Sequence, residues 1–165
     1  MKTHWKIATF ALLSGLIIPK ATLAATATTT FQVSATVLKA CSVTANPLAF
    51  GSYDPTASTN LDATTTLSVL CTVGTSFQVG LNPGTATGAT VTSRQMTNGA
   101  NTLAYALYQD TARTTNWGNT PGTDTPAAIT APITATSLTV FGRVPSAQNV
   151  PAAGYSDTIT VTVTY

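Results

Sequence analysis

The sequence carries few of the residues that catalysis needs. It contains no glutamate, its one histidine is His4, and charged residues make up only 7% of the chain. General acid–base catalysis usually relies on histidine or on a carboxylate with a shifted pKa, and a serine triad needs a base beside its nucleophile. The five aspartates are scattered among threonine, proline and glycine, where aspartate favours turns. We therefore predict that the protein is not an enzyme.

Patterns for metals and cofactors are also missing. Zinc sites draw on cysteine and histidine, and the chain offers two cysteines and that single histidine. No loop has the aspartate spacing of an EF-hand, and no glycine-rich phosphate-binding or dinucleotide-binding motif is present. We predict neither a metal site nor a cofactor.

The first residues have the layout of a secretory signal peptide. Lys2 and Lys6 precede a mostly apolar run over residues 7–18, and small residues follow. Cleavage after Ala24 fits this pattern, and so does a cut as late as Ala27. The apolar run is too short to cross a bilayer. We predict an exported chain whose signal covers residues 1–24 and which has no membrane span once the signal is removed.

Removal of the signal reverses the charge of the chain. The full sequence has a net charge of +2, but three of its lysines lie within residues 1–20. Four cations then face five aspartates, which gives a net charge of −1. This balance does not favour nucleic acid as a partner. The remaining chain of about 140 residues is long enough for one domain with a sizeable core.

Two cysteines, Cys41 and Cys71, remain in the mature chain. In an oxidising compartment such a pair forms a disulfide more often than it stays as two free thiols. We predict a Cys41–Cys71 disulfide that joins the first strand of the domain to the second. Chain-entropy arguments value a closed loop of this length at roughly 3–4 kcal/mol of stability.

Alternation of apolar and polar residues dominates the pattern. No segment has helical periodicity, and the 36 threonines suit the outer faces of strands. Asn98-Gly99 lies between two apolar runs and predicts a hairpin, while residues 111–127 read as a loop. Six or seven short strands separated by turns indicate an all-β, immunoglobulin-like sandwich. Strands are predicted around Cys41 and within residues 65–73, 76–82, 91–96, 103–108, 137–145 and 155–165.

The last of these predicted strands is an unprotected edge. The stretch YSDTITVTVTY, residues 155–165, contains one charge and neither lysine nor proline. Soluble proteins usually protect a long, flat edge strand with such residues. The stretch therefore raises the question of what covers this edge in the folded protein. Its apolar side chains on one face are Ile159, Val161, Val163 and Tyr165.

A second strand-like stretch follows the signal. At Val37-Leu38 two apolar residues stand together, so the alternation slips and the apolar set changes face. The stretch is either an extension outside the domain, covering residues 25–38, or an ordinary first strand. The slip favours the extension, which leaves residues 39–165 as the domain. The alternating apolar residues of the stretch are Phe31, Val33, Ala35 and Val37.

Four segments together carry a resemblance to a known family. They are KACSVTANPLAFGSYDP from residue 39, LSVLCTVG from residue 67, LAYALYQDTARTTNWG from residue 103 and TVFGRVPSAQNVPAAGYSDTITVTVTY from residue 139. As a set these segments resemble the spore coat protein U domain, whose members include subunits of archaic chaperone–usher pili. The resemblance extends over nearly the whole mature chain.

The resemblance implies an incomplete immunoglobulin-like sandwich that a strand from a neighbouring subunit completes. It implies that a periplasmic chaperone lends a strand first. The N-terminal extension of another copy, or of a related pilin, then replaces it as a fibre grows through an outer-membrane usher. Residues 31–37 would be the donor strand, and the strand near the end of the chain would accept it. The function implied is that of a pilus subunit on the cell surface that supports adhesion and biofilm formation.

Two other functions remain open at the level of sequence. The chain could be a spore or surface coat protein that acts as a self-contained domain. It could also be a carbohydrate-binding adhesive module that uses Tyr108, Arg113 and Trp117. Against the second alternative, aromatic side chains commonly provide core burial. We therefore favour Tyr105 in the core and Trp117 over one end of the sandwich.

Overall fold

A computed structural model describes residues 23–165. The predicted signal peptide falls almost entirely on residues 1–22, which lie outside the described residues. The chain divides into one unit that ends at Ala35 and a second unit, Thr36–Tyr165. No strand is formed between residues 23 and 40. Phe31, Val33 and Val37 are each more than 80% exposed.

The second unit is built of strands alone, which confirms the predicted all-β class. Within the described residues there are eight strands and no helix. The strands are β1 Cys41–Ala45, β2 Leu61–Cys71, β3 Ser76–Leu81, β4 Arg94–Asn98, β5 Asn101–Tyr108, β6 Ile129–Thr130, β7 Thr136–Val144 and β8 Val161–Thr164.

The strands form two sheets. One has the order β1-β2-β7-β5-β4 and the other the order β6-β3-β8, and every strand pair is antiparallel. Along β2, β5 and β7 the more buried residues alternate with the more exposed ones, as the period-two pattern predicts. The buried side chains form one core. The buried apolar residues are Leu67, Val69, Cys71, Phe77, Val79, Leu81, Leu103, Tyr105, Leu107, Trp117, Ala131, Val140 and Val144.

The strand directions define two ends of the domain. Cys41, the first residue of β1, lies opposite Cys71, the last residue of β2. The turn after Cys71 leads directly into β3, so β3 begins at the same end of the domain. We call this the proximal end. At the opposite end β2 begins at Leu61 and β7 finishes at Val144, its partner in the register. We call this the distal end.

The cysteines form the predicted disulfide. Cys41 and Cys71 are directly opposite in the β1–β2 pair, with their Cα atoms 4.0 Å apart. The bond fixes the register of β1, an edge strand of only five residues that would otherwise be held by a short ladder.

Loss of this disulfide should destabilise the domain considerably. For Cys41→Ser paired with Cys71→Ser, we expect a loss of roughly 3–4 kcal/mol in the free energy of unfolding, from the loop-closure entropy of 30 residues. Chemical denaturation of the exported protein would measure it, with Ser42→Ala on the outer face of β1 as the control. Two alkylatable thiols in the exported wild-type chain would contradict the assignment.

The far edge of the larger sheet is closed by the chain itself. The Thr97 N–H donates to Ser156 O at 2.8 Å, and the Ser156 N–H donates back to Thr97 O at 3.2 Å. Asn98 Nδ2 donates to Gly154 O at 2.7 Å. The segment before β8 therefore covers β4. β1 and β8 have no such cover among the described residues, since each pairs on one side only.

Candidate functional site: a groove between β1 and β8

Two unpaired strand edges border the same part of the domain. β1 is an edge of the five-stranded sheet and β8 is an edge of the three-stranded sheet. Their Cα atoms approach to within 8 Å of each other. The two sheets therefore lie close along these edges without being joined by hydrogen bonds.

The free backbone groups of β1 follow from its pairing with β2. The Asn46 N–H donates to Thr66 O at 3.1 Å, and the Thr72 N–H donates to Ala40 O at 2.9 Å. In an antiparallel pair, alternate residues direct their N–H and C=O groups to the partner. Even-numbered residues therefore bond to β2. The backbone groups of Cys41, Val43 and Ala45 point to the open side.

The same alternation applies to β8. The Asn82 N–H donates to Thr160 O at 3.1 Å, which places the even-numbered residues against β3. The backbone groups of Val161 and Val163 therefore point away from β3. Two rows of free donors and acceptors border one gap, and a single added strand could bond to either row.

An apolar cleft lies beneath this gap. It has a volume of about 450 Å³ and reaches core residues of both sheets. Val161 lines the cleft, and both Val161 and Val163 are half-buried against the core. Side chains that line the cleft include Leu67, Leu81, Met96, Leu107, Val140 and Ile159.

A second cleft continues the first toward the distal end. It has a volume of about 600 Å³ and shares Leu48, Phe50, Met96 and Tyr155 with the first cleft. The two clefts are therefore neighbours. We keep the word groove for the first cleft together with the gap between β1 and β8, and we call the second cleft the distal cleft.

Leu48 and Phe50 reach the core from an irregular segment. A Cβ on Gly142 would lie only 2.7 Å from Leu48 Cδ2 and 2.8 Å from Phe50 Cζ, so glycine is required at this point of β7. The Phe50 ring meets the Tyr105 ring edge-on, with 6.2 Å between centroids. These side chains cover part of the inner face that the smaller sheet leaves bare. Sequence reasoning missed this wall, although Leu48 and Phe50 alternate with Ala49.

Asp157 is the charged residue that lines the groove, and its carboxylate is engaged in hydrogen bonds. Its Oδ2 accepts from the Tyr105 hydroxyl at 2.7 Å, and its Oδ1 accepts from the Thr85 and Thr158 N–H groups at 2.8 and 2.7 Å. Burial alone would raise the pKa of Asp157, but these hydrogen bonds hold the pKa below its usual value. The carboxylate therefore has a structural role.

Arg94 is also used structurally. It is 0% exposed, and its guanidinium donates to Leu81 O and Trp117 O at 2.8 Å each, and to Asn82 O at 2.9 Å. Buried polar groups that are hydrogen-bonded in this way fix the position of neighbouring segments. With Asp157 and Arg94 both used in structural hydrogen bonds, what the groove offers a partner is apolar surface and free strand edges.

β8 is shorter than the predicted strand over residues 155–165. The Thr158 N–H bonds to the carboxylate of Asp157, and the Thr160 N–H donates to Asn82 Oδ1 at 2.9 Å. These side-chain bonds replace the ladder, so the strand begins only at Val161. Ile159 still packs on the core from outside the strand, and Tyr165 is 57% exposed beyond its end.

The predicted sugar-binding residues do not form a common surface. Trp117 is 1% exposed, and its Nε1 donates to Val79 O at 2.8 Å, so it lies within the core rather than over one end of the sandwich. Arg113 forms an ion pair with Asp62 at 3.3 Å. Tyr108 is half-buried, and Tyr105 lies in the core as predicted. A buried indole is not available to stack on a sugar.

Thr72 directs the chain that leads into β1. Its hydroxyl donates to Leu38 O at 3.1 Å and accepts from the Ala40 N–H at 3.1 Å. Residues 38–40 therefore continue along the line of β1, beyond the proximal end. Since the clefts open toward the distal half, this direction leads away from the groove.

Metal sites and membrane-spanning helices are two further features to consider within residues 23–165. Residues 23–165 contain no group of three or more histidine, cysteine, aspartate or glutamate side chains placed to hold a metal. Over the same range, no helix has the length and hydropathy to cross a membrane.

The fold and the groove define a β-sandwich with an open edge on each sheet. Residues 27–162 match the model of the Spore Coat Protein U domain. Protein U of Myxococcus xanthus is 38% identical over 158 residues, which cover 86% of this chain and 87% of that protein. The chain belongs to the Spore Coat Protein U domain family.

A solved structure supports the immunoglobulin-like fold. It is the crystal structure of the CsuC–CsuE chaperone–tip adhesion subunit pre-assembly complex, from the archaic chaperone–usher Csu pili of Acinetobacter baumannii. One of its chains matches with a TM-score of 0.56 and 23% identity over 79% of the present chain. The present chain spans 40% of the length of that neighbour.

Proposed function

We propose that this protein is a structural subunit of a secreted surface fibre, assembled by donation of a strand from one copy to the next. The observation that carries the proposal is the open groove, which has free strand edges on both sides and an apolar floor. A strand that adds to such an edge gains backbone hydrogen bonds, and its alternate side chains fill the pockets.

The donor in this proposal is the stretch over residues 31–37. Its apolar side chains have the period of two that a groove-filling strand requires, and Phe31, Val33 and Val37 are exposed. Thr72 leads the chain away from its own groove, which favours donation to another copy over return to the same domain. A head-to-tail interface of this kind does not close, so it produces a filament.

The proposal implies partners during export. An unfilled groove exposes apolar core and strand edges, which promote aggregation. A periplasmic chaperone would cover the groove first, and an outer-membrane usher would exchange it for the donor strand. The protein would then pass through the periplasm to the cell surface, where the fibre supports adhesion and biofilm formation.

A coat function is the second candidate, and the 38% identity to Protein U favours it. Size measurement of the mature chain, expressed with and without a periplasmic chaperone, separates the two. A fibre subunit should be recovered as a one-to-one chaperone complex and as polymer or aggregate without it. A stable, soluble monomer in the absence of any chaperone would support the self-contained coat domain instead.

A further inference from the structure

Three exposed apolar side chains lie at the proximal end. Leu38 precedes β1, Val73 lies in the β2–β3 turn and Ile133 lies in the β6–β7 loop, with exposed fractions of 76%, 63% and 84%. We call these three residues the proximal patch. Clustered apolar surface on a soluble domain is typical of an interaction site.

Hydrogen bonds hold the three segments at the same end. The Thr72 hydroxyl binds Leu38 O, next to Val73 in the chain. The Gly74 N–H donates to Ala131 O at 3.0 Å, and the Ala131 N–H donates to Thr75 O at 2.8 Å. The loop that carries Ile133 is thereby tied to the β2–β3 turn.

The distal cleft lies at the other end of the domain, and its lining includes the apolar side chains of Leu103, Val144 and Val150. None of the residues that line it carries a charge. Part of its wall is the segment before β8, whose small residues leave it open to solvent. The lining residues of that wall are Val150, Pro151, Ala152, Ala153, Gly154 and Tyr155.

The length of the connection determines which surfaces meet. Only residues 38–40 separate the donor stretch from Cys41. An extended chain advances about 3.3–3.6 Å per residue, so Val37 and Cys41 lie at most about 14 Å apart. The donating domain must therefore sit directly against the domain whose groove it fills.

The direction of the donor strand determines which end it meets. β8 runs from the distal to the proximal end, because Val161 pairs with Leu81 and Thr164 with Gln78. A donor antiparallel to β8, like every strand pair in this structure, leaves the groove at the distal end. The proximal end of the donating copy then faces the distal end of the accepting copy.

We propose that the proximal patch of one copy docks in the distal cleft of the next copy. The inference rests on the strand donation proposed above and adds a second, separate contact to it. The patch is apolar and the distal cleft is uncharged, and the short connection brings the two together at a high effective concentration. Docking buries the proximal patch and fixes the orientation of one subunit relative to the next.

Paired cysteines test this contact in assembled fibres. Ile133→Cys combined with Ala152→Cys, and Val73→Cys combined with Ala152→Cys, should give ladders of disulfide-linked multimers on heated, non-reducing gels. The matched control combines Thr139→Cys, on the exposed outer face of β7, with Ala152→Cys. We expect at least about tenfold more cross-linked product from one or both patch pairs than from the control, given the local concentration.

A charge at the patch provides an independent measurement. Val73→Asp combined with Ile133→Asp should leave the yield of chaperone-bound subunit unchanged, because both positions are exposed, but should shorten the fibres markedly relative to Thr139→Asp. Fibres of normal length together with no excess cross-linking would overturn the docking and leave strand donation intact. A wild-type chain that forms no fibre would overturn strand donation, and the docking would fall with it.

Discussion

Val161→Asp is expected to leave no stable subunit. Val161 is half-buried between β3 and the groove, and it lies opposite Leu81, a residue of the core. A buried, unpaired carboxylate costs several kcal/mol or is forced into its neutral form. A whole domain has a stability of only about 5–15 kcal/mol. The yield of chaperone-bound subunit in the periplasm measures the effect.

The matched control is on the same strand. Thr162 is the next residue of β8, and its side chain points to solvent. Thr162→Asp adds the same charge at nearly the same place, so it should leave the yield close to wild type. Equal yields from Val161→Asp and Thr162→Asp would contradict the placement of Val161 against the groove.

Val33→Asp should abolish fibre growth without unfolding the subunit. Val33 is 82% exposed and lies outside the unit that contains the sandwich, so its loss removes no core contact. In the proposed fibre, however, the side chain enters the groove of the next copy, where a charge is costly. The variant should be captured by the chaperone, accept a donor strand and then cap the fibre.

Fibre length and the yield of chaperone-bound subunit together show whether residues 31–37 act as a donor strand or as an internal strand of the core. Ser34→Asp changes the neighbouring residue, whose side chain points away from the groove if Val33 points in, and should permit growth. Should Val33→Asp lower the chaperone-bound yield as far as Val161→Asp does, residues 31–37 would be an internal strand and the donor assignment would fail.

The sequence was most informative where a strand has one buried face. β2, β3, β5 and β7 alternate clearly because one set of their side chains meets the core, and all four were predicted. β6 has only two residues, Ile129 and Thr130, which is too few for a period to be visible. The disulfide was also predictable, since the predicted export and the single cysteine pair left few alternatives.

The groove was predicted only in part. The edge at Val161 and Val163 was visible from its alternation. The start of β8, however, depends on hydrogen bonds to the side chains of Asp157 and Asn82, and Asn82 is far from β8 in the sequence. Local patterns do not reveal such bonds. Trp117 was assigned to one end for a similar reason: only the fold shows that Val79 O is available to its indole N–H.

Strand addition itself is the central claim, and a peptide titration tests it most directly. The chain from Lys39 onward, released from its chaperone, would be mixed with an excess of a synthetic peptide of residues 25–38, and its thermal unfolding midpoint measured. Ligand at about 100 times its Kd adds about 2.7 kcal/mol, which corresponds to a rise of roughly 10 °C for a domain of this size. We predict that rise for the wild-type peptide and for its Ser34→Asp variant, and no rise for the Val33→Asp variant. The same midpoint with and without the wild-type peptide would contradict the account.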